Sequence, residues 1–76
     1  MDEIKDLESI KELLENKQYT SLRQALTELN DADIAVILEN LDEEERLKVF
    51  RILPKSMAAD VFSYLELENQ QMIITS

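Results

Sequence analysis

Apolar residues recur every three or four positions along almost the whole chain, the spacing of one face of an α-helix. Polar and helix-ending residues divide the pattern into six short segments, and helices this short need tertiary packing to be stable. We therefore predict an all-α fold of about five to six short helices. Their apolar positions are Ile4, Leu7, Ile10 and Leu14; Tyr19, Leu22, Leu26 and Leu29; Ile34, Ile37, Leu38 and Leu41; Leu47, Val49, Phe50, Ile52 and Leu53; Met57, Ala58, Val61, Phe62 and Leu65; and Met72, Ile73 and Ile74.

A regular repeat underlies these segments. Leu29, Leu41, Leu53 and Leu65 lie twelve residues apart, and "LNDADIAVILENL" at 29–41 aligns with "LPKSMAADVFSYL" at 53–65. A fixed period with apolar positions in register is the signature of stacked helix hairpins. The prediction is a right-handed superhelix (α-solenoid) with a 24-residue helix-pair repeat. Residues 1–76 form a single domain, with leading helices in 1–30 and hairpin repeats in 31–76.

Residues that favour helix ends stand between the apolar segments. Pro54 closes the fourth helix, because the residue before a proline avoids helical geometry. Asn is the best substitute for Gly in the left-handed conformation after a helix, which predicts C-terminal roles for Asn16, Asn30 and Asn40. The predicted N-caps are Thr20 or Ser21, Asp31, Asp42 and Ser56.

The acidic run in "LDEEERLKVF", residues 41–50, has two interpretations. Asp42 and Glu45 fit a capping box, in which each side chain accepts a backbone N–H of the other residue. Glu43 and Glu44 would oppose the helix dipole, contributing roughly 0.3–1 kcal/mol each. A calcium loop needs a Gly, and the chain has none. Capping is the predicted main role, and a weak divalent-cation contact at Glu43 or Glu44 stays open.

Two further acids are not needed as caps. Asp33 stands in the first turn of the third helix, where the dipole accounts for it. Asp60 lies in the middle of a helix in "SMAADVF", on the face away from Met57 and Val61. Asp at an exposed helical position costs only a few tenths of a kcal/mol, so a solvated surface explains Asp60 as well as a binding role does.

Composition and charge exclude several classes of function. The chain has no His, Cys or Trp, so the common nucleophile–base pairs and zinc sites cannot form, and we expect no enzyme. Seventeen acids against eight bases give a net charge of −9, which repels nucleic acid and anionic membranes and attracts cations or basic partners. The simplest role for the acids is solubility. No signal peptide or membrane span is visible, so we expect a soluble, cytoplasmic chain without direct membrane insertion.

The C-terminal segment ends without a polar cap. "LELENQQMIITS" places three adjacent apolar residues close to the last position. A solenoid normally finishes with a polar terminal repeat. We therefore expect a truncated array whose exposed last helix self-associates or docks to a partner.

The segment "DADIAVILENLDEEERLKVFRILPKSMAADVFSYLE", residues 31–66, resembles the cytosolic N-terminal domain of MgtE-type magnesium transporters. The most specific part is "RILPKSMAADVFSYL", in which a leucine-proline pair precedes two alanines and an acid. Residues 1–30 match more loosely. On this resemblance, residues 1–76 are a truncated N domain.

The resemblance implies a regulatory role. Family members are homodimeric magnesium channels whose N domain is followed by CBS domains and a membrane domain. Magnesium between acidic surfaces of the N and CBS domains draws them together and closes the pore, on the cytoplasmic side of the bacterial cell membrane. Asp60 stands at the family's alanine-alanine-acid position, which contributes to a magnesium site. Asp60 is thus the first metal candidate, with Glu43, Glu44 and Asp33 weaker, and Mg²⁺ binding is expected to be weak and shared with an absent domain.

A second interpretation comes from a different functional class. The N-terminal module of the flagellar motor switch protein has a similar superhelix of short helices. On that interpretation the chain is an α-solenoid for protein–protein interaction, and its acids serve solvation without any metal role.

Overall fold

The computed structural model describes residues 2–75, with side chains for residues 6–75. Within this range the chain is helical and contains no strand, which confirms the all-α prediction. Ile4, a predicted core residue, lies outside the described side chains. The helices are α1 (Asp2–Glu15), α2 (Tyr19–Thr27), α3 (Asp31–Glu39), α4 (Glu43–Ile52), α5 (Lys55–Tyr64) and α6 (Leu67–Thr75).

The first four helices pack as two successive hairpins. Helix α1 packs against α2, and α3 against α4, while α3 also packs between α1 and α5. Helices α2 and α4 are also in contact with each other. The odd-numbered helices therefore form one layer with α2 and α4 beside it, the arrangement expected of an α-solenoid. None of the helices between residues 2 and 75 is long and apolar enough to cross a bilayer.

One apolar cluster runs through all helices except α6. The side chains with no exposed surface come from α2, α3, α4 and α5, so the core lies between these helices; they are Leu22, Leu26, Ile34, Leu38, Val49 and Val61. Helix α6 contributes no buried residue and reaches this core through the half-buried Ile73. The buried set is completed by Ile10, Leu14, Ala35, Ile37, Leu41, Leu53 and Leu65.

The twelve-residue spacing corresponds to the ends of helices. Leu29, Leu41, Leu53 and Leu65 each donate a backbone N–H to the carbonyl three residues earlier, at 3.1–3.2 Å. Each leucine thus tightens the last turn of a helix. The side chains of Leu41, Leu53 and Leu65 are at most 6% exposed, and that of Leu29 is half-buried. The repeat therefore places one apolar anchor where each of α2, α3, α4 and α5 ends.

The predicted helix ends are only partly correct. The stop before Pro54 is confirmed, because α4 ends at Ile52. The left-handed residue after α1 is Lys17, not Asn16. Asn40 is the C-cap of α3, as predicted, but its φ of −97° is not left-handed. The predicted N-caps Thr20, Ser21, Asp31 and Ser56 all lie inside helices, whose N-caps are instead Gln18, Asn30 and Pro54.

The physical reason is the shortness of the connections. Only three residues separate α2 from α3, and Asn30 is the last of them, so it directly precedes the first residue of α3. Its extended backbone (φ −82°, ψ 162°) and its side chain, which accepts the Asp33 N–H at 2.8 Å, make it the N-cap of α3. Pro54 starts α5 because its fixed φ suits a helix entry and its missing N–H costs nothing there.

Lys17 closes α1 in a strained conformation. Its φ is 58°, the only positive φ among the described residues. The Lys17 N–H donates to the Leu14 carbonyl at 3.1 Å and the Gln18 N–H to the Leu13 carbonyl at 2.9 Å. These two bonds form a Schellman motif, in which Gly normally occupies the left-handed position. A side chain there crowds the following carbonyl oxygen.

Lys17→Gly is expected to raise the free energy of unfolding by about 0.5–1 kcal/mol, because relief of the left-handed strain exceeds the added entropy of the unfolded chain. Urea denaturation followed by circular dichroism measures the change. Lys17→Ala is the control, since it removes the same charge but keeps a Cβ. A stabilisation of the Ala variant equal to that of the Gly variant would assign the effect to charge instead.

The C-terminus of α3 is held by a side chain from α4. The half-buried Arg46 donates from Nε to the Leu38 carbonyl at 2.7 Å and from an Nη to the Leu41 carbonyl at 2.6 Å. The Leu38 carbonyl, in the last turn of α3, also accepts the Leu41 N–H at 3.2 Å, and the Leu41 carbonyl lies in the connection between α3 and α4. A cation at this end also opposes the helix dipole. Arg46 therefore fixes the turn between α3 and α4.

Candidate functional site

The acidic run begins α4 as a capping box. Asp42 accepts the Glu45 N–H on Oδ1 at 2.8 Å, and Glu45 accepts the Asp42 N–H on Oε1 at 3.3 Å. Glu43 and Glu44 follow in the first turn, and both are exposed. The predicted capping role of the run is confirmed. Its free carboxylates lie at the positive end of the helix dipole, which reduces their need for a bound cation.

A shallow depression of about 320 Å³ adjoins this helix start. Asp42, Glu44 and Glu45 line it together with Glu15 from the end of α1. Lysines also line the depression, namely Lys17 and Lys48, so negative charge is partly balanced within it. The local arrangement favours mixed-charge surface over a cation site.

Asp60 lies in the middle of α5, where the sequence predicted it. Its neighbour Val61 is fully buried, whereas Asp60 and Ala59 are exposed. The Asp60 carbonyl accepts the Ser63 hydroxyl at 2.7 Å, a contact of the backbone and not of the carboxylate. The carboxylate therefore stands on the outer face of the helix, open to solvent or to a partner.

Asp33 is placed differently from Asp60. It lies in the first turn of α3 and is half-buried. Its backbone N–H donates to Asn30, so the residue takes part in the start of α3. The dipole explanation suffices for this carboxylate.

The candidate acids do not assemble into one cluster. Within the described residues, no group of three or more Asp, Glu, His or Cys side chains is arranged to hold a metal ion. Asp60 on α5 and the acids of α4 thus remain separate surface charges. This part of the chain can offer single carboxylates to a metal but does not enclose one.

A cross-helix contact that the sequence did not predict lies near the C-terminus. Glu39, at the end of α3, accepts the backbone N–H of Glu66 on Oε2 at 3.0 Å. Gln70 on α6 donates from Nε2 to the Phe62 carbonyl at 2.7 Å. These two contacts orient the start of α6 against α3 and α5. Glu39 and Glu66 are far apart in sequence, so no local pattern signals their contact.

Comparison with known proteins resolves the family. The family model described as "MgtE intracellular N domain" matches residues 29–76, well over half of the chain. The chain belongs to this family. The match spans α3 to α6 and includes all four candidate acids, Asp33, Glu43, Glu44 and Asp60.

A curated relative extends the similarity beyond the N-terminal end of the family match. The chain is 36% identical over 62 residues to "Magnesium transporter MgtE" from Thermus thermophilus. The match covers 82% of this chain but only 14% of the relative, so the MgtE N-domain chain spans about one seventh of that protein's length. No solved structure matches the chain significantly. The resemblance found in the sequence is thereby confirmed as family membership.

Proposed function

We propose that this chain is a regulatory magnesium-sensing domain, which gates a magnesium transporter by metal-dependent docking onto neighbouring CBS domains. The observation that carries the proposal is the exposed carboxylate of Asp60 on the outer face of α5. The proposal also rests on family membership and on the magnesium-transporter name of the relative.

The chemistry of Mg²⁺ suits a single protein carboxylate. Mg²⁺ keeps several of its waters and is usually held by one or two carboxylates and not by a complete protein cage. Asp60 fits one such ligand, and the described residues supply no complete site. The remaining ligands would come from the partner surface. Two acidic surfaces repel without the metal and are bridged with it, so the cation concentration selects between separated and docked arrangements.

The internal repeat supports an unoccupied surface beside Asp60. The 24-residue spacing aligns Ala59 of α5 with Ala35 of α3. Ala35 is 4% exposed in the core, whereas Ala59 is exposed. Small side chains allow another element to approach closely. The residue equivalent to Asp60 is Val36, which stays 39% exposed beside the covered Ala35. An element that covered Ala59 in the same way would lie beside the Asp60 carboxylate without burying it.

The same proposal sets the partners and the location. The CBS domains and the membrane domain would belong to the same full-length protein, which would act as a homodimer on the cytoplasmic side of the bacterial cell membrane. Mg²⁺ would bind weakly to the isolated chain, because half of each site would lie on another domain. The domain would gate transport and carry out no catalysis.

Asp60→Asn is expected to raise the Mg²⁺ concentration that half-protects the full-length protein from proteolysis by roughly two- to tenfold, because a neutral amide is a poorer Mg²⁺ ligand. Limited proteolysis across a magnesium titration measures the midpoint. Glu8→Gln on α1 is the matched control, since it removes the same charge from another exposed helix position. An unchanged midpoint for Asp60→Asn, or an equal shift for Glu8→Gln, would refute the role of Asp60.

A second candidate function is an α-solenoid interaction module without a metal role, similar to the N-terminal module of the flagellar motor switch protein. The exposed apolar side chains of Tyr64, Leu67 and Ile74, which are 60–70% exposed, favour it. The reading frame after Ser76 separates the two. The transporter proposal expects two CBS-like αβ repeats followed by several apolar spans. Further helical repeats alone would favour the interaction module.

A further inference from the structure

A basic surface stands out on this acidic chain. Three of its eight Lys and Arg residues, namely Arg23 on α2 and Lys48 and Arg51 on α4, surround the half-exposed ring of Tyr19. Two adjoining depressions of about 290 and 340 Å³ lie between these side chains, and Tyr19, Arg51 and Ile52 line both. Among the described residues, no acid lines either one. We call this the α2–α4 basic surface.

The fold does not use these three charges internally. The guanidinium of Arg46, by contrast, donates hydrogen bonds to the carbonyls of Leu38 and Leu41. Arg23, Lys48 and Arg51 are exposed, and within residues 6–75 their head groups form no hydrogen bond or ion pair. The dipole of α4 favours Arg51 in its last turn. No such effect accounts for Arg23, which lies in the middle of α2.

The chemistry of this surface selects an anionic partner with apolar groups. Guanidinium groups bind carboxylates through two parallel hydrogen bonds. Tyr19 and Ile52 supply apolar area between the two arginines, and an aromatic ring is a frequent anchor in protein interfaces. Tyr19 and Lys48 also line the acidic depression at the start of α4, so the positive charge that faces away from acids is that of Arg23 and Arg51.

The shape of the partner follows from the rest of the chain. A flat anionic membrane would bring the whole domain, with its net charge of −9, close to like charges. A narrow peptide segment can lie along Arg23, Arg51 and Ile52, none of which lines the acidic depression that adjoins the surface at Tyr19 and Lys48. An acidic peptide segment is therefore the favoured occupant.

We propose that the α2–α4 basic surface binds an acidic, aromatic-containing peptide segment of a partner protein. Arg23 and Arg51 pair with its carboxylates, and Tyr19 and Ile52 contact its apolar side chains. The surface lies on α2 and α4, away from Asp60 on α5, and its binding needs no magnesium. This inference is independent of the magnesium-sensing proposal.

The test is a nuclear magnetic resonance titration of the 76-residue chain in magnesium-free buffer. The probe is a synthetic peptide of about ten glutamate and phenylalanine residues, compared with its glutamine counterpart. We expect amide shifts around Tyr19, Arg23 and Lys48–Ile52 with the acidic peptide only, and binding that weakens as salt rises. The double variant Arg23→Gln/Arg51→Gln should weaken binding at least about tenfold, as expected when two charge-assisted contacts are lost.

The matched control is Lys11→Gln/Lys55→Gln. Both double variants lose two positive charges and change the net charge from −9 to −11. The control removes its charges from the half-buried Lys11 and the exposed Lys55, outside the α2–α4 basic surface. The control should bind like the unchanged chain. Equal weakening in both variants, or shifts spread over the whole surface, would overturn the proposal. Stronger binding to phosphatidylglycerol vesicles or to inorganic phosphate than to the peptide would also overturn it, and would assign the surface to a membrane or a small anion.

Discussion

Leu38→Ala is expected to lower the free energy of unfolding by about 2–5 kcal/mol, because it leaves a cavity in the core as well as losing apolar burial. The Leu38 side chain is fully buried in α3, the helix that packs against α1, α4 and α5. Domains below about 80 residues rarely exceed 3–5 kcal/mol of stability. The variant should therefore be largely unfolded at 25 °C. Urea denaturation followed by circular dichroism measures the loss.

Leu67→Ala is the control for this prediction. It makes the same chemical change at the first residue of α6, where the side chain is 69% exposed. Its effect should stay within about 0.5 kcal/mol, as is usual at exposed positions. A Leu38→Ala variant as stable as Leu67→Ala would contradict the assignment of α3 as the central helix.

Arg46→Ala is expected to cost about 1–3 kcal/mol of unfolding free energy, because two backbone carbonyls at the end of α3 lose a charged donor. These carbonyls, of Leu38 and Leu41, lie beside the core, where new water contacts are limited. Arg46→Lys should recover only part of the loss, since one ammonium group lacks the two-pronged geometry of a guanidinium. Thermal and urea denaturation of both variants measure the effect.

Arg23→Ala serves as the matched control for Arg46. Arg23 is exposed, and no described residue pairs with it. Its replacement should change stability by less than about 0.5 kcal/mol. If Arg23→Ala and Arg46→Ala cost the same, the loss would come from general charge effects and the Arg46 contacts would contribute nothing measurable.

The repeat made the fold predictable from the sequence. Apolar spacing located all six helices. Each helix buries one face against a neighbour, so apolar residues recur with the period of the helix. The twelve-residue leucine spacing indicated the repeat, and the structure shows that these leucines lie where α2, α3, α4 and α5 end. The stop at Pro54 followed from a local steric rule that tertiary contacts do not override.

Helix starts were less predictable than helix ends. Several residues near each start have suitable side chains, and the choice among Thr20, Ser21 and Gln18 depends on how the preceding chain leaves α1. The direction in which the chain leaves α1 is set by the left-handed Lys17. The sequence pattern pointed to the adjacent Asn16 instead, because Asn adopts this conformation more readily than Lys. Arg46 was missed for a related reason. Its partners are backbone carbonyls, which carry no residue-specific pattern.

The local features of the candidate site could be predicted from the sequence, and the features that depend on other parts of the structure could not. The capping role of Asp42 and Glu45 is local, and the structure confirms it. The exposure of Asp60 followed from its position between core-facing residues of α5. The proposed metal role of Asp60 could not be predicted from this chain alone, because the proposed site would be completed by residues outside it. The α2–α4 basic surface was also not predicted, since it joins residues of two helices that are separated by α3.

The central claim is that magnesium brings the Asp60 face of this domain against another domain of the same protein. Ser63→Cys provides an attachment point for a spin label on the exposed face of α5, one turn after Asp60. Residues 1–76 contain no other cysteine. A second label on the CBS domains of the full-length protein completes the pair. Electron–electron distance measurement should show a short distance that grows in population as Mg²⁺ rises, and that requires more Mg²⁺ in Asp60→Asn. A distance distribution that is the same with and without magnesium would contradict the account.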